Sequence, residues 1–439
     1  MSALAEILLA SGHQVRGSDK QRTEITRMLE QKGAEIFEGH DAANLKQADY
    51  LVYSSAVKPD NPERQQALKT GIPQVRRAEL LGWLFNRRTG IGIAGTHGKT
   101  STASMLSSVL VEAGLDPSVI IGGQVKSWMS NARIGRGEIL VAEADEYDRS
   151  FLALYPRMAV LTSLEDDHLD IYKDTDELKQ AFIQFANQTA FDGSVTACAD
   201  DENIRSIIPE LHPSVITYGF SQEADIRAEN LLFKESVSEF DVYKRNKFWG
   251  PIKINLPGRH NAANALAVCA AASELELDFE IVKQGLLNFK GTSRRFEILG
   301  RAGDILVVDD YAHHPTEIRA SLQGARNGWQ RRIIAVFQPH LFSRTRDFYK
   351  EFADALDLAD LTLITEIYPA REKPMAGISG SMINNEMKST NHFVPDKAAV
   401  QDLLKNHVQP GDMVIFIGAG DITQQAHLFY KQLRGEKNG

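Results

Sequence analysis

The segment Gly95-Thr96-His97-Gly98-Lys99-Thr100-Ser101 gathers residue types that together could grip a phosphate. Gly95 and Gly98 let backbone N–H groups come close to an anion. Lys99 supplies a point charge for terminal phosphates, and Thr100 offers a hydroxyl to Mg2+. The spacing departs from the usual formula G-x-x-x-x-G-K-[ST], because five residues before Gly98 stands Ile93. A plain glycine turn with an incidental lysine is the competing account. The surroundings favour nucleotide binding through a variant loop. An apolar, strand-like TGIGIAG precedes the segment, and a helical stripe of Met105, Leu106, Val109, Leu110 and Ala113 follows, with Gly114 placed to end it.

Other chemistry-bearing residues follow further strand-like runs. EILVAEADEYD ends in Glu143, Asp145, Glu146 and Asp148. Open α/β sheets bind ligands at the carboxyl ends of their strands, and a few carboxylate oxygens suit Mg2+. A solvated acidic loop is the alternative. MAVLTSLEDDHLD repeats the plan and adds His168, either a ligand or a structural histidine. In LPGRHNAANALAVCAAA, His260 or Asn261 is expected to cap a helix. Asn261 and Asn264 share a helical face, and their amides could meet a purine edge. GTSRRFE supplies Arg294 and Arg295, which could reach phosphate oxygens across a closing cleft or be plain surface charge. Four later runs also end in polar groups. The first ends in Asp309, Asp310 and Tyr311, then His313 and His314, with Pro315 opening a helix. The second carries Gln338, His340, Arg344 and Arg346; the third Tyr368, Arg371 and Lys373; the fourth Gly418 and Gly420. Such ends could converge on one cleft.

These groups must be positioned by alternating strands and helices, so the expected class is α/β with largely parallel sheets. A chain of 439 residues suggests two or three domains. Hydrophobic residues at 43% and charged residues at 24% fit a globular protein. The net charge of −9 speaks against nucleic-acid or anionic-membrane partners. Cys198 and Cys269 make neither a zinc pattern nor a disulfide framework, so a reducing cytoplasm is expected. No signal peptide is expected, and LAEILLA with Glu6 is too short to span a bilayer. At the N-terminus, Ala3, Leu4, Ile7 and Leu8 share a helical face before HQVRGSD, a strand ending at Asp19. A dinucleotide-type unit would place a strand and a Gly-rich turn ahead of that helix, so the section is expected to be missing its first strand.

The joint order of GTHGKTS, EADE, HNAAN, RRFE and DDYAHHPTE resembles the Mur ligases, ATP-dependent amide-forming enzymes of peptidoglycan precursor synthesis. VFQPHLFSRTRDF, EIYPAREKPMAGISG, SSAVKPDNPE and VRRAELL look like the branch that joins L-alanine to UDP-N-acetylmuramate. The resemblance spans nearly the whole chain. It implies three α/β domains: 1–86, a Rossmann-like uridine-nucleotide domain lacking its first strand; 87–296, a central P-loop ATPase with a mostly parallel sheet; and 297–439, a C-terminal Rossmann-like domain. It implies ATP and Mg2+ as cofactors, UDP-N-acetylmuramate and L-alanine as partners, and a monomer or weak homodimer.

Carried over by motif, Gly95 through Ser101 cradle ATP, with Lys99 on its phosphates. Thr100, Glu143 and His168 hold Mg2+, Asn261 and Asn264 lie near adenine, and Arg295 and Asp310 hold ATP from the domain edges. Tyr311, His314, His340 and Arg344 lie where the branch gathers the amino acid and the muramyl carboxylate. Ser18, Asp19, Ser54, Ser55 and Arg77 fall in segments that hold the uridine nucleotide. The expected catalytic set is Lys99, His168, Arg295, His314 and Arg344. The sequence departs from the pattern twice. MSALAEIL begins where the Met-Ser of a Gly-Met-Ser turn should stand, and Leu341 sits where some relatives carry arginine. A sister ligase that attaches a preformed peptide, and a nucleotide-binding relative with impaired catalysis, are the competing readings.

Overall fold

The computed structural model describes residues 1–165 and 171–435. These fall into two compact units, one of Met1–Glu229, Val242–Gly250 and Ala263–Phe289, the other of Asn230–Asp241, Pro251–Ala262 and Lys290–Gly439.

The N-terminal section contains α1 (Ser2–Ala10), β1 (Arg16–Asp19), α2 (Glu24–Gln31), β2 (Glu35–Glu38), β3 (Leu51–Tyr53), α3 (Pro62–Thr70), β4 (Gln74–Arg76) and α4 (Arg77–Phe85). Its strands form two separate parallel pairs, β1 with β2 and β3 with β4. Thr23 caps α2, and Asn61 caps α3 by accepting from the N–H groups of Glu63 and Arg64, with Pro62 as the first helical residue. Of the expected apolar face of α1, Ala3, Leu4 and Ile7 are buried in a core with Leu81 and Phe85 of α4, while Leu8 is half-buried. Burying each of the larger side chains, Leu4, Ile7, Leu81 and Phe85, contributes about 1.5–3 kcal/mol.

The next stretch contains β5 (Thr89–Ala94), α5 (Lys99–Glu112), β6 (Ser118–Val125), β7 (Ser130–Arg133), β8 (Ile139–Ala144), β9 (Met158–Leu161), α6 (Thr175–Asn187), β10 (Ser194–Cys198), α7 (Glu202–Ile207), β11 (Ser214–Gly219), β12 (Ile226–Lys234), β13 (Val237–Lys244), β14 (Lys247–Ile254), α8 (Arg259–Glu274) and α9 (Phe279–Asn288). Its sheet has ten strands in the order β14-β13-β12-β11-β10-β9-β5-β8-β6-β7. From β12 through to β6 neighbouring strands pair in parallel, and β7 is antiparallel to β6. β5 leads through α5 toward one side of the sheet, whereas β9 leads through α6 toward the other. The strand order therefore reverses between β5 and β9, and open sheets bind ligands outside such a point. The residues of β5 from Gly90 to Ala94 are all buried, which fits a strand covered on both faces.

The remainder contains β15 (Glu297–Ala302), β16 (Ile305–Asp310), α10 (Pro315–Gly328), β17 (Ile333–Phe337), α11 (Phe342–Leu356), β18 (Leu361–Thr365), α12 (Ser381–Glu386), β19 (Thr390–Val394), α13 (Val400–His407), β20 (Met413–Ile417) and α14 (Ile422–Leu433). Its sheet runs β15-β16-β20-β17-β18-β19. All pairings are parallel except β15 with β16. Leu306 and Val308 enter one core while Ile305 and Val307 enter another, so the two-residue period of β16 buries both faces of the sheet. The four strands read from polar ends are β16, β17, β18 and β20. The sheet adds β15 and β19, whose half-exposed residues give no continuous apolar run.

One local expectation is corrected. α8 begins at Arg259, so His260 and Asn261 lie inside its first turn and neither caps it. Gly258, with φ +91°, makes the entry, and the Asn261 amide instead donates to the Pro257 carbonyl at 2.8 Å.

Candidate active site

The loop between β5 and α5 is shaped by what surrounds it. Gly95 has φ +148°, and a Cβ there would lie 2.0 Å from Thr162 Oγ1. Gly98 has φ +82°, and a Cβ there would lie 2.6 Å from Asn264 Oδ1. Both positions require glycine by conformation and by space. The segment after β9 ties the loop down. The N–H of Thr96 donates to Ser163 O at 3.0 Å, that of His97 to Ser163 Oγ at 2.9 Å, and that of Glu165 to Thr96 Oγ1 at 3.0 Å. Thr100 is buried and Ser101 half-buried at the start of α5.

Lys99 folds back over this loop. Its ammonium donates to the carbonyls of Gly95 and Thr96 and to both Glu146 oxygens, at 3.0 and 2.8 Å. Burial opposes its charge, but Glu146, Asp145 and Glu143 outweigh that and hold its pKa above the ordinary lysine value. Glu143 pairs in register with Ile93 of β5, which places it beside the loop, and its carboxylate accepts from Gly122 N–H at 2.8 Å. Asp145 accepts from Tyr147 N–H at 3.2 Å. His168 lies outside the described residues. Asn264 is buried, and its carbonyl oxygen accepts from Thr102 Oγ1 at 3.3 Å, which ties α8 to α5.

In the second unit, polar groups gather at the carboxyl ends of β16, β17 and β18. Asp310 is buried, accepts from Ser321 Oγ at 2.6 Å and from Ala312 N–H at 3.1 Å, and is pushed up to about 6 by burial, against the pull of Ser321 and Arg295. Tyr311 receives two guanidinium groups over its ring, Arg294 at 4.8 Å and Arg295 at 5.0 Å. Arg295 also lies 3.8 Å from Glu317. His313 and His340 meet edge to face at 5.9 Å, and Tyr368 stacks on His340 at 5.9 Å. Burial holds both histidines below the usual range, His340 at about 4; Arg344 adds to the effect on both, and His313 adds to it on His340. Arg344 is itself buried, and Leu341 between His340 and Arg344 has φ +72°. His314 stands at the N-cap of α10, buried, with Phe348 against its ring at 5.2 Å.

Arg294 does something the sequence did not show: its guanidinium donates to the carbonyls of Gly418 and Gly420, at 2.6 and 3.1 Å. Ser321 was missed as well, since a serine one helix away from Asp310 carries no local signal. Glu317 could have been found, because it stands three residues after His314 at a helix start and accepts from the His313 and His314 N–H groups.

The residues read as uridine-nucleotide contacts sit at strand ends of the N-terminal section. Ser18 donates to Glu63 at 2.8 Å and lies 3.0 Å from His40. Asp19 closes β1, Ser54 and Ser55 follow β3, and Arg77 follows β4.

An α/β chain with two large sheets, two small strand pairs and a glycine–lysine loop at a strand-order reversal belongs to a definable class. Residues 1–89 match the Mur ligase family catalytic domain, 93–272 the Mur ligase middle domain, and 294–420 the Mur ligase glutamate ligase domain. The chain belongs to the Mur ligase family. The UDP-N-acetylmuramate–L-alanine ligase of Salinibacter ruber is 46% identical over 442 residues, which cover 99% of this chain and 93% of that one. The crystal structure of the UDP-N-acetylmuramate–alanine ligase of Thermotoga maritima matches with a TM-score of 0.86 at 30% identity, over 100% of this chain and 97% of that one. A murein peptide ligase of Psychrobacter arcticus matches less well, with a TM-score of 0.72 at 26% identity over 100% of this chain and 97% of that one. Among the described residues no helix is long and apolar enough to cross a membrane.

Proposed function

We propose that this chain is an ATP-dependent ligase that joins L-alanine to the carboxylate of UDP-N-acetylmuramate through an acyl phosphate. The observation that carries the reading is the half-buried Lys99 ammonium held by the Gly95–Gly98 turn at the start of α5. Backbone N–H groups, a helix terminus and a fixed cation there suit a triphosphate. A carboxylate is a poor acyl donor, so it takes a phosphoryl group from ATP, and the amine of L-alanine then attacks the acyl phosphate and expels phosphate. Lys99 disperses charge on the transferring group. Thr100, Glu143 and His168 would hold Mg2+, which supplies further charge neutralisation. The half-buried Glu143 carboxylate, already oriented by a backbone N–H, suits that task.

The same reading divides the work among 1–86 for the uridine nucleotide, 87–296 for ATP, and 297–439 for the amino acid and muramyl carboxylate. Asn261 and Asn264 serve adenine, and Arg295 and Asp310 help hold ATP. Tyr311, His314, His340 and Arg344 receive the amino acid and carboxylate; the depressed His340 keeps a neutral ring there. The test is phosphate release dependent on both UDP-N-acetylmuramate and L-alanine. Lys99→Ala is expected to abolish it, a loss of about 1000-fold or more, given what one preorganised charge contributes to a transition state. Undiminished turnover in Lys99→Ala, or preference for a tripeptide over free L-alanine, would overturn the assignment.

A further inference from the structure

We propose that Glu146 is a placeholder for phosphate: its carboxylate occupies the Lys99 ammonium until a nucleotide arrives and must swing away for one to bind. The inference rests on the phosphate-loop reading and adds a residue that this reading does not assign.

An ammonium has three N–H groups. Lys99 already faces four acceptors: the Gly95 and Thr96 carbonyls and both oxygens of Glu146. A phosphate can gain Lys99 only if one of these leaves. The two carbonyls belong to a loop locked by Gly95 and by the Thr96 and His97 bonds to Ser163. The Glu146 side chain is the partner that rotation can remove. As an anion with two oxygens, it also presents what a terminal phosphate would present.

The pair is well desolvated, with side-chain exposures of 15% for Lys99 and 2% for Glu146. Taking away one member of such a pair strands a buried charge. The ligand-free state therefore gains from the Glu146 contact, and that gain opposes nucleotide binding. Two further observations mark the segment as one that holds a position under tension. Asp148 and Arg149, two and three residues after Glu146, both have left-handed backbone angles, φ +54° and +53°, which non-glycine residues adopt only at a cost. A latch then keeps it in place. The Tyr172 hydroxyl donates to the Glu146 carbonyl at 2.6 Å, and Arg149 lies over the Tyr172 ring at 5.3 Å while pairing with Glu177.

Titration calorimetry of the full chain with Mg2+ and adenylyl imidodiphosphate tests this. Glu146→Gln keeps the shape and removes the competing charge, so its Kd is expected to fall about tenfold, within the usual range of coupling between a bound group and a ligand. Its ligand-free Tm is expected to drop below wild type, and the ligand-induced rise in Tm to exceed it. A purely structural glutamate would lower Tm without tightening binding. Tyr172→Phe, which loosens the latch alone, is expected to tighten binding a few-fold, and it decides the matter if Glu146→Gln does not fold. Affinity equal to or weaker than wild type in the folded variant overturns the proposal. Lys99→Met separates the two ideas. If it loses binding while Glu146→Gln binds as wild type does, the placeholder fails alone; if Lys99→Met itself binds normally, the phosphate-loop reading fails with it.

Discussion

The β5–α5 loop and the strand ends of the six-stranded sheet solve different problems with different materials. The loop is built from contiguous backbone: two glycines in the left-handed region and one lysine, braced by the segment after β9. The strand ends use side chains drawn from β16, β17 and β18 and from the helices that follow them, with rings stacked on rings and guanidinium groups over Tyr311. The first region concentrates charge, and Lys99 stays charged. The second suppresses it, because burial drives His340 and His313 toward neutrality and Asp310 toward its acid form. A backbone-built anion site tolerates little change in shape, whereas a side-chain site should lose function one contact at a time.

The sharpest way to break that contrast is Gly95→Ala. The added Cβ would lie 2.0 Å from Thr162 Oγ1 in a backbone conformation that alanine avoids. Loss of nucleotide affinity by about 100-fold or more is expected, together with a fall in stability of about 1–3 kcal/mol from strain and displacement. Calorimetry with a nucleotide and a thermal melt measure the two. A variant that binds nucleotide normally would show that the loop is more adaptable than its packing indicates.

Next in size is Arg344→Ala in the second region. Arg344 is buried close enough to His313 and His340 to act on their charge states. Removing a buried charge that meets a substrate group costs about 2–5 kcal/mol. A fall in kcat/KM for L-alanine of about 30-fold or more is therefore expected, with nucleotide Kd within about twofold of wild type. An equal loss in both would mean that the two regions do not divide the substrates as proposed.

The contrast also explains what could be read from the residues alone. GTHGKTS was legible because its function is local: strand, turn and helix start are consecutive, and each glycine answers to a conformation fixed by its neighbours. Glu143 and Asp310 were legible for a related reason, as polar residues closing apolar strands. The resemblance to Mur ligases then supplied roles that spacing could not. Ser321 and the Arg294 contact with Gly418 and Gly420 were invisible, because each partner is brought near only by sheet order. The strands β15 and β19 went unseen because edge strands lack a continuous apolar run. Glu146 was noticed as an acid. Its partner was hidden, since the pairing joins residues 47 positions apart through neighbouring strands β5 and β8.

The smallest effect expected is on stability, and its sign sharpens the comparison. Asp310 is pushed up to about 6 from an ordinary value of 3.8, chiefly by burial. A carboxyl whose folded pKa exceeds its unfolded one binds more protons when native. Stability then declines as pH rises from about 4 through about 6, and the burden is fully present at neutral pH. Asp310→Asn, a neutral near-isostere that can still accept from Ala312 N–H, removes that decline. Chemical denaturation across pH 4–8 is expected to show the variant more stable than wild type at pH 8 by about 1–3 kcal/mol, with the difference shrinking toward pH 4. Because the second region would gain stability by losing a charge, the wild-type protein must hold the carboxylate there for another reason, and reduced ligase turnover in the same variant would identify that reason as ATP or substrate contact. A pH-independent difference between the two proteins would mean that Asp310 is ionised without penalty, and that charge is not suppressed at these strand ends.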